Sequence, residues 1–121
     1  MFEVKVETSF SSAHHLLNYK GKCENLHGHN WKVEVTARGN ELDKSNILID
    51  FKVLKKTVNE IIDYLDHKDL NELKEFENES PSSEFIAKYI YYKVKETIKE
   101  VCRVDVWETA TSRASYFEIE E

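Results

Sequence analysis

Histidine occurs at only three places in the chain, as His14-His15, His27-His29 and His67. His27 and His29 open a stretch of alternating apolar and polar residues, which predicts a β-strand. Side chains two residues apart project from the same strand face, so these two imidazoles can bind one metal ion together. A third imidazole from His14 would make a three-nitrogen zinc site with an open position, as in catalytic centres. The alternative is a histidine pair that merely lines an ordinary strand.

Two further groups of reactive side chains accompany the histidines. Cys23 precedes His27 by four residues, and a thiol close to a divalent cation ionises readily. Cys23 is therefore a candidate base, or alternatively a fourth metal ligand. Asp66 and His67 end the first predicted helix, where a carboxylate beside an imidazole can make a proton shuttle. The alternative for His67 is a favourable interaction with the helix C-terminus.

Glu108 lies in the stretch WETATS, at the end of a predicted strand. A carboxylate there can accept two hydrogen bonds from an amidine-like edge, such as that of a 2-amino-4-oxopteridine. The alternative is an exposed glutamate at a strand end.

Alternating and helical spacings predict the elements that must position these groups. A strand over 2–10, extended towards His14, precedes a loop over 15–26 and a strand over 27–37. Helical spacing follows over 51–65, after a possible N-cap at Asp50, and again over 82–101. Two final strands surround Val104-Val106 and Phe117-Ile119, with a break at Ser112-Arg113. This order (ββααββ) predicts an α+β fold in which two helices cover one face of a four-stranded antiparallel sheet, with open edges that favour self-assembly.

Length and composition limit the class of protein. A chain of 121 residues with 40% hydrophobic and 33% charged residues predicts one soluble domain spanning 1–121. Seventeen basic against 23 acidic residues give a net charge of −6, which argues against a nucleic-acid binder. There is no long apolar run for a membrane span or signal peptide. Two cysteines, Cys23 and Cys102, are too few for a disulfide framework, so we expect a cytoplasmic protein.

Five segments together resemble the 6-pyruvoyl-tetrahydropterin synthase family, in order and over essentially the whole chain. They are SSAHHL, CENLHGHNW, DYLDHKDLN, SPSSEF and WETATS. The chain looks most similar to the bacterial queuosine-pathway branch, the 6-carboxy-tetrahydropterin synthases. The resemblance implies a tunnelling fold (T-fold), in which subunits join their sheets into a barrel. It also implies a homo-oligomer, commonly a hexamer of two trimers, with active sites between subunits.

The same resemblance implies roles for individual residues. One zinc ion per subunit would be bound by His14, His27 and His29. The catalytic residues would be Cys23 as base, with Asp66 and His67 completing a proton-transfer triad. The pterin ring would be anchored by Glu108, with Ser83 close to it. The implied reaction converts 7,8-dihydroneopterin triphosphate to 6-carboxy-5,6,7,8-tetrahydropterin, acetaldehyde and triphosphate.

Glu24 leaves a second activity open. The segment CENLHGH also resembles the ExxHGH pattern of relatives that cleave dihydroneopterin derivatives to 6-hydroxymethyl-dihydropterin for folate synthesis. Glu24 would then contact the substrate as a base, and a dual-function enzyme would use both residues; alternatively, Glu24 is a solvated loop residue. A non-catalytic zinc- or pterin-binding module is the alternative from another functional class.

Overall fold

One four-stranded antiparallel sheet and two α-helices make up the protein, as a computed structural model that describes residues 1–21 and 24–119. The elements, in chain order, are β1 (Phe2–His14), β2 (His27–Gly39), α1 (Phe51–Leu65), α2 (Ser83–Lys95), β3 (Val101–Thr109) and β4 (Ser112–Tyr116). The polar segment between the helices contains two short 3-10 turns, Leu70–Glu72 and Lys74–Phe76. The predicted α+β class and element order are confirmed.

The strands lie side by side in the order in which they occur in the chain, β1-β2-β3-β4. β1 and β2 pair without interruption from Phe2 opposite Gly39 to His14 opposite His27. The alternation along β1, β2 and β3 turns one set of side chains towards the helices, where they are buried. This set comprises Val6, Phe10, Trp31, Val33, Val35, Val104 and Val106. The register therefore brings the histidine-bearing ends of the first two strands together.

Both helices begin at side chains that cap them. Asp50 accepts a hydrogen bond from the backbone N–H of Lys52, and Ser82 accepts one from Phe85. α1 packs against β1, and α2 packs against β3 and β4. Together with the sheet they enclose one apolar core. Across the described ranges 1–21 and 24–119, none of the helices has the length and apolar character that a membrane crossing needs.

Two predicted boundaries were wrong. α2 ends at Lys95, not at residue 101, because Val101 pairs with Ala37 of β2 and starts β3. Ile98 is nevertheless buried, and its backbone N–H closes the last helical turn on Val94.

The last strand begins earlier than its sequence pattern predicts. Arg113 pairs with Trp107 inside the β3–β4 ladder, and the chain reverses at 110–111 instead of at Ser112-Arg113. Phe117 and Ile119 follow β4 and are exposed. A two-residue turn between strands satisfies more ladder hydrogen bonds than the predicted break would allow.

β1 is an edge strand, and the segment that follows α1 covers its outer edge at the end nearest the histidines. The backbone N–H of Ser11 donates to the Asp66 carboxylate at 2.8 Å, and the Ser11 carbonyl accepts from the N–H of His67 at 2.6 Å. Two residues further on, the N–H of Ala13 donates to the carbonyl of Lys68 at 2.9 Å. The segment after α1 thus lies along β1 at residues 11–13 and leaves its earlier part as the open edge.

Candidate metal centre and adjoining pocket

Three imidazoles and one carboxylate converge at one end of the sheet. The potential ligand atoms of His14, His27, His29 and Glu108 all lie within 4.8 Å of one another, so the group could hold a metal ion. The Nε2 atoms of His14 and His27 are 3.1 Å apart. Oε1 of Glu108 is 3.1 Å from Nε2 of His14 and 3.2 Å from Nε2 of His29. The structure therefore brings together the three predicted ligands and adds Glu108 to them.

The strand register explains this convergence. His14 is opposite His27 in the β1–β2 ladder, and His29 follows two residues later on the same face. Glu108 follows Trp107 of β3, which pairs with Lys32 of β2 at the same end of the sheet. Each side chain of the centre is thus carried by a strand.

Trp31 forms the floor of the centre. It is fully buried, and its ring packs edge-on against His14 and His29, with centroid distances of 4.8 and 5.2 Å. Its indole N–H donates to the carbonyl of Ser12 at 3.2 Å. Packing on a rigid aromatic side chain limits the rotamers that the two imidazoles can adopt.

Backbone carbonyls determine which nitrogen of each ring carries the proton. Nδ1 of His14 lies 2.7 Å from the carbonyl oxygen of Pro81, and Nδ1 of His27 lies 2.8 Å from that of Asn25. A carbonyl can only accept, so Nδ1 is the donor in both rings. In the neutral rings the two Nε2 lone pairs then face each other at 3.1 Å. A cation between them removes this repulsion, and two nitrogens on a tetrahedral zinc ion would be about 3.3 Å apart.

His29 has a buried ring nitrogen that is available to bind a metal ion. Its Nε2 is buried and makes no aligned hydrogen bond, although the Glu108 carboxylate is nearby. Burial lowers the pKa of His29, while the negative charge of Glu108 acts in the opposite direction. A lowered pKa favours the neutral ring, which is the form that binds a metal. The residues present therefore fit a divalent cation.

A polar pocket adjoins the metal centre at the β4 edge. It is lined by Ser83, Glu84, Glu108, Ser112, Arg113, Ala114 and Ser115. Ser83 lies in this pocket together with Glu108. These are the two residues for which the family resemblance implies a place at the pterin ring. Glu84 was not predicted. In the sequence, Glu84 is marked only as an acidic residue in the first turn of a predicted helix. Acidic residues at that position usually stabilise the helix and have no other role.

Asp66 and His67 contact each other but lie apart from the metal centre. Nδ1 of His67 is 2.8 Å from Oδ2 of Asp66, and the His67 side chain is 81% exposed. The backbone N–H of Ser11 and the His67 ring lower the pKa of Asp66. The pair lies on the β1 edge, whereas the pocket is lined by residues of α2, β3 and β4, on the other side of the sheet order.

Glu24 lies beside the metal centre. Its Oε1 is 3.8 Å from Nδ1 of His27 and accepts a hydrogen bond from the N–H of Leu16 at 3.1 Å. It is therefore not a freely solvated loop residue. Cys23 lies outside the described residues, so its predicted place beside the metal remains a prediction.

Comparison with known proteins finds similar chains along nearly the whole sequence. Residues 3–119 match the family model for 6-pyruvoyl tetrahydropterin synthase. The chain is 37% identical, over 97% of its length and 94% of the relative's, to a 6-carboxy-5,6,7,8-tetrahydropterin synthase of Synechocystis sp..

Solved structures share the same fold. The 6-pyruvoyl tetrahydropterin synthase of Caenorhabditis elegans superposes with a TM-score of 0.87 at 28% identity, covering 98% of this chain and 96% of that one. A Plasmodium vivax 6-pyruvoyltetrahydropterin synthase superposes with a TM-score of 0.78 at 26% identity, covering 97% of each chain. That structure is of a catalytic-residue mutant in which a glutamate is replaced by alanine. These matches confirm the predicted T-fold subunit.

Proposed function

The chain belongs to the 6-pyruvoyl tetrahydropterin synthase family, and on this basis we propose that it is a zinc-dependent 6-carboxy-5,6,7,8-tetrahydropterin synthase. It would act as a lyase on 7,8-dihydroneopterin triphosphate, consume one water molecule, and release acetaldehyde and triphosphate together with the carboxy-pterin. The name of the Synechocystis relative supports this product. The observation that carries the proposal is the 3.1 Å approach of Nε2 of His14 to Nε2 of His27, beside a pocket lined by Ser83, Glu108 and Arg113.

His14, His27 and His29 would hold one zinc ion per subunit. When bound there, zinc would polarise the oxygens of the substrate side chain. The Pro81 and Asn25 carbonyls would keep the rings of His14 and His27 in the tautomer that presents Nε2. The three neutral imidazoles would not themselves neutralise the zinc charge, which favours binding of an electron-rich substrate oxygen.

Glu108 would anchor the pterin ring. Its carboxylate is 34% exposed and belongs both to the metal centre and to the pocket. From this position it can accept two hydrogen bonds from the N–H groups of an amidine-like ring edge while the substrate side chain extends towards the imidazoles. Ser83, in the same pocket, would add a hydroxyl close to the ring.

Proton transfer would be performed by Cys23 with Asp66 and His67. Two strands, β2 and β3, separate the Asp66–His67 pair on β1 from β4 and its side of the pocket, which supports a site assembled from two subunits. The β4 edge with its pocket would meet the open part of a neighbouring β1, at residues 2–10, and the neighbouring Asp66–His67 pair would arrive with it. A homo-oligomer follows from this arrangement, and we propose the hexamer of two trimers that the family resemblance implies.

Incubation of the purified protein with 7,8-dihydroneopterin triphosphate, with products identified by mass, tests the proposed reaction. We expect 6-carboxy-tetrahydropterin and acetaldehyde in equal amounts. The Cys23→Ala variant should keep its zinc and lose turnover, because the thiolate supplies a base and not a ligand. A wild-type protein that turns over no dihydroneopterin derivative would favour the zinc- or pterin-binding module. Loss of zinc in Cys23→Ala would make the thiolate a fourth ligand.

The second candidate function is cleavage to 6-hydroxymethyl-dihydropterin, and the position of Glu24 favours it. The Glu24 carboxylate lies 3.8 Å from Nδ1 of His27, so it is next to a residue of the metal centre, on the side of the ring away from Nε2. One of its oxygens, Oε1, is engaged by the N–H of Leu16, which orients the group. A carboxylate so placed could abstract a hydroxyl proton for a retro-aldol cleavage.

Glu24→Gln separates this activity from the first. The amide keeps an oxygen for the N–H of Leu16 but cannot act as a base, so any hydroxymethyl product should fall about 100-fold or more. The carboxy product should be retained within a few-fold. Equal loss of both products would show that Glu24 does not distinguish the two activities.

A further inference from the structure

The three residues after His14 belong to no helix or strand, yet both backbone polar groups of each are hydrogen-bonded. We call residues 15–17 the ligand tether. The first of them, His15, is bound by the side chain of Asn71. Oδ1 of Asn71 accepts a hydrogen bond from the His15 N–H at 2.9 Å, and Nδ2 of Asn71 donates one to the His15 carbonyl at 3.0 Å. One amide thus replaces the partner strand that β1 lacks at this point.

The third residue of the tether is held in the same way. The hydroxyl of Ser80 accepts the N–H of Leu17 at 2.7 Å and donates to the Leu17 carbonyl at 3.3 Å. Between them, Leu16 bonds to Glu24 through the carboxylate at 3.1 Å and through the Glu24 N–H at 3.0 Å. Asn71 and Ser80 both come from the segment between the helices, so that segment holds alternate residues of the tether.

The same segment also holds the ring of the adjacent metal-site histidine. Pro81, which follows Ser80, accepts the Nδ1–H of His14 at 2.7 Å, and the His14 side chain is only 1% exposed. Asn71 is itself oriented, because its backbone N–H donates to the carboxylate of Asp69 at 3.1 Å. The backbone after His14 and the imidazole of His14 are therefore anchored to one short stretch of chain, residues 69–81.

We propose that Asn71 and Ser80 are positioning residues of the metal centre, which fix His14 through the ligand tether. The inference rests on the proposed function, since it requires the three-imidazole site. Neither side chain touches the metal-site nitrogens; each acts through backbone groups within three residues of His14. A strand end without such partners would fray, and the His14 nitrogen would be displaced from its place between His27 and Glu108.

The zinc affinity of Asn71→Ala tests the inference, measured by competition with a chromophoric chelator well below the unfolding temperature. We expect the dissociation constant to rise about 10- to 100-fold, as for other partners that orient metal ligands. The absorption spectrum of the Co²⁺-loaded protein should change too, because the ligand geometry changes. Asn59→Ala is the matched control: it removes an asparagine that bonds to Thr8 of β1, far from His14, and should leave both readouts unchanged.

Ser80→Ala provides an independent variant, with the same expected direction. Unchanged zinc affinity and an unchanged Co²⁺ spectrum in folded Asn71→Ala and Ser80→Ala would overturn the inference, even if both variants unfold at lower temperature. The proposed function fails in a different way: a wild-type protein that binds no zinc removes the metal centre itself. If Asn71→Ala and Ser80→Ala bind zinc as tightly as the wild type does, only the positioning role is contradicted, and the proposed metal centre stands.

Discussion

Replacement of His29 by alanine is expected to abolish stoichiometric zinc binding and to lower kcat/KM at least about a thousand-fold. The reason is the geometry of the centre. His29 supplies a buried nitrogen without an aligned hydrogen bond, and its loss leaves only two imidazoles on the metal. Metal content by elemental analysis and turnover of 7,8-dihydroneopterin triphosphate are the two measurements.

His67→Ala is the contrasting variant, because His67 is the proposed proton shuttle and lies outside the metal centre. It should keep one zinc ion per subunit and lose turnover by about 100-fold or more, in the range of general acid–base catalysis. Full activity in metal-free His29→Ala would remove the metal from the proposed chemistry. Zinc loss in His67→Ala would mean that His67 contributes to the metal centre and is not only a proton shuttle.

Glu108→Gln is expected to reduce kcat/KM about 100-fold or more while leaving the zinc dissociation constant within a few-fold. Each hydrogen bond to a charged carboxylate contributes about 1.5–3 kcal/mol. The glutamine keeps one acceptor and turns an N–H group towards the second ring donor, so one such bond is lost and a donor–donor contact replaces it. Binding of unsubstituted pterin, followed by fluorescence, should weaken in parallel.

The contacts of Glu108 make this variant decisive between two roles. Its Oε1 lies as close to the imidazoles as a ligand atom would. A large loss of zinc affinity with unchanged pterin binding would identify Glu108 as a fourth metal ligand and contradict the anchoring role. Glu75→Gln is a suitable control, because Glu75 is a carboxylate hydrogen-bonded to Tyr64, outside both the metal centre and the pocket. It should leave both measurements unchanged.

Local sequence patterns predicted most of the fold, since strands and helices carry their periodicity in neighbouring residues. The alternation around His27 and His29 and the apolar spacing of α1 both correspond to elements in the structure. The prediction was wrong where two periodicities compete. Val101 continues the helical spacing of α2 but pairs with Ala37, because a ladder with β2 buries it equally well and satisfies its backbone.

The sequence by itself determined the three candidate imidazoles, because His27 and His29 lie two apart on one predicted strand and so share a face, while His14 ends the preceding strand. The tertiary structure decided the partners of those imidazoles. Pro81 and Asn25 contribute backbone carbonyls, which every residue type possesses, so no side-chain pattern marks them. Asn71 reaches His15 across 56 positions of the chain. Such contacts depend on how the segment between the helices folds back onto β1, and spacing along the chain carries no information about that path.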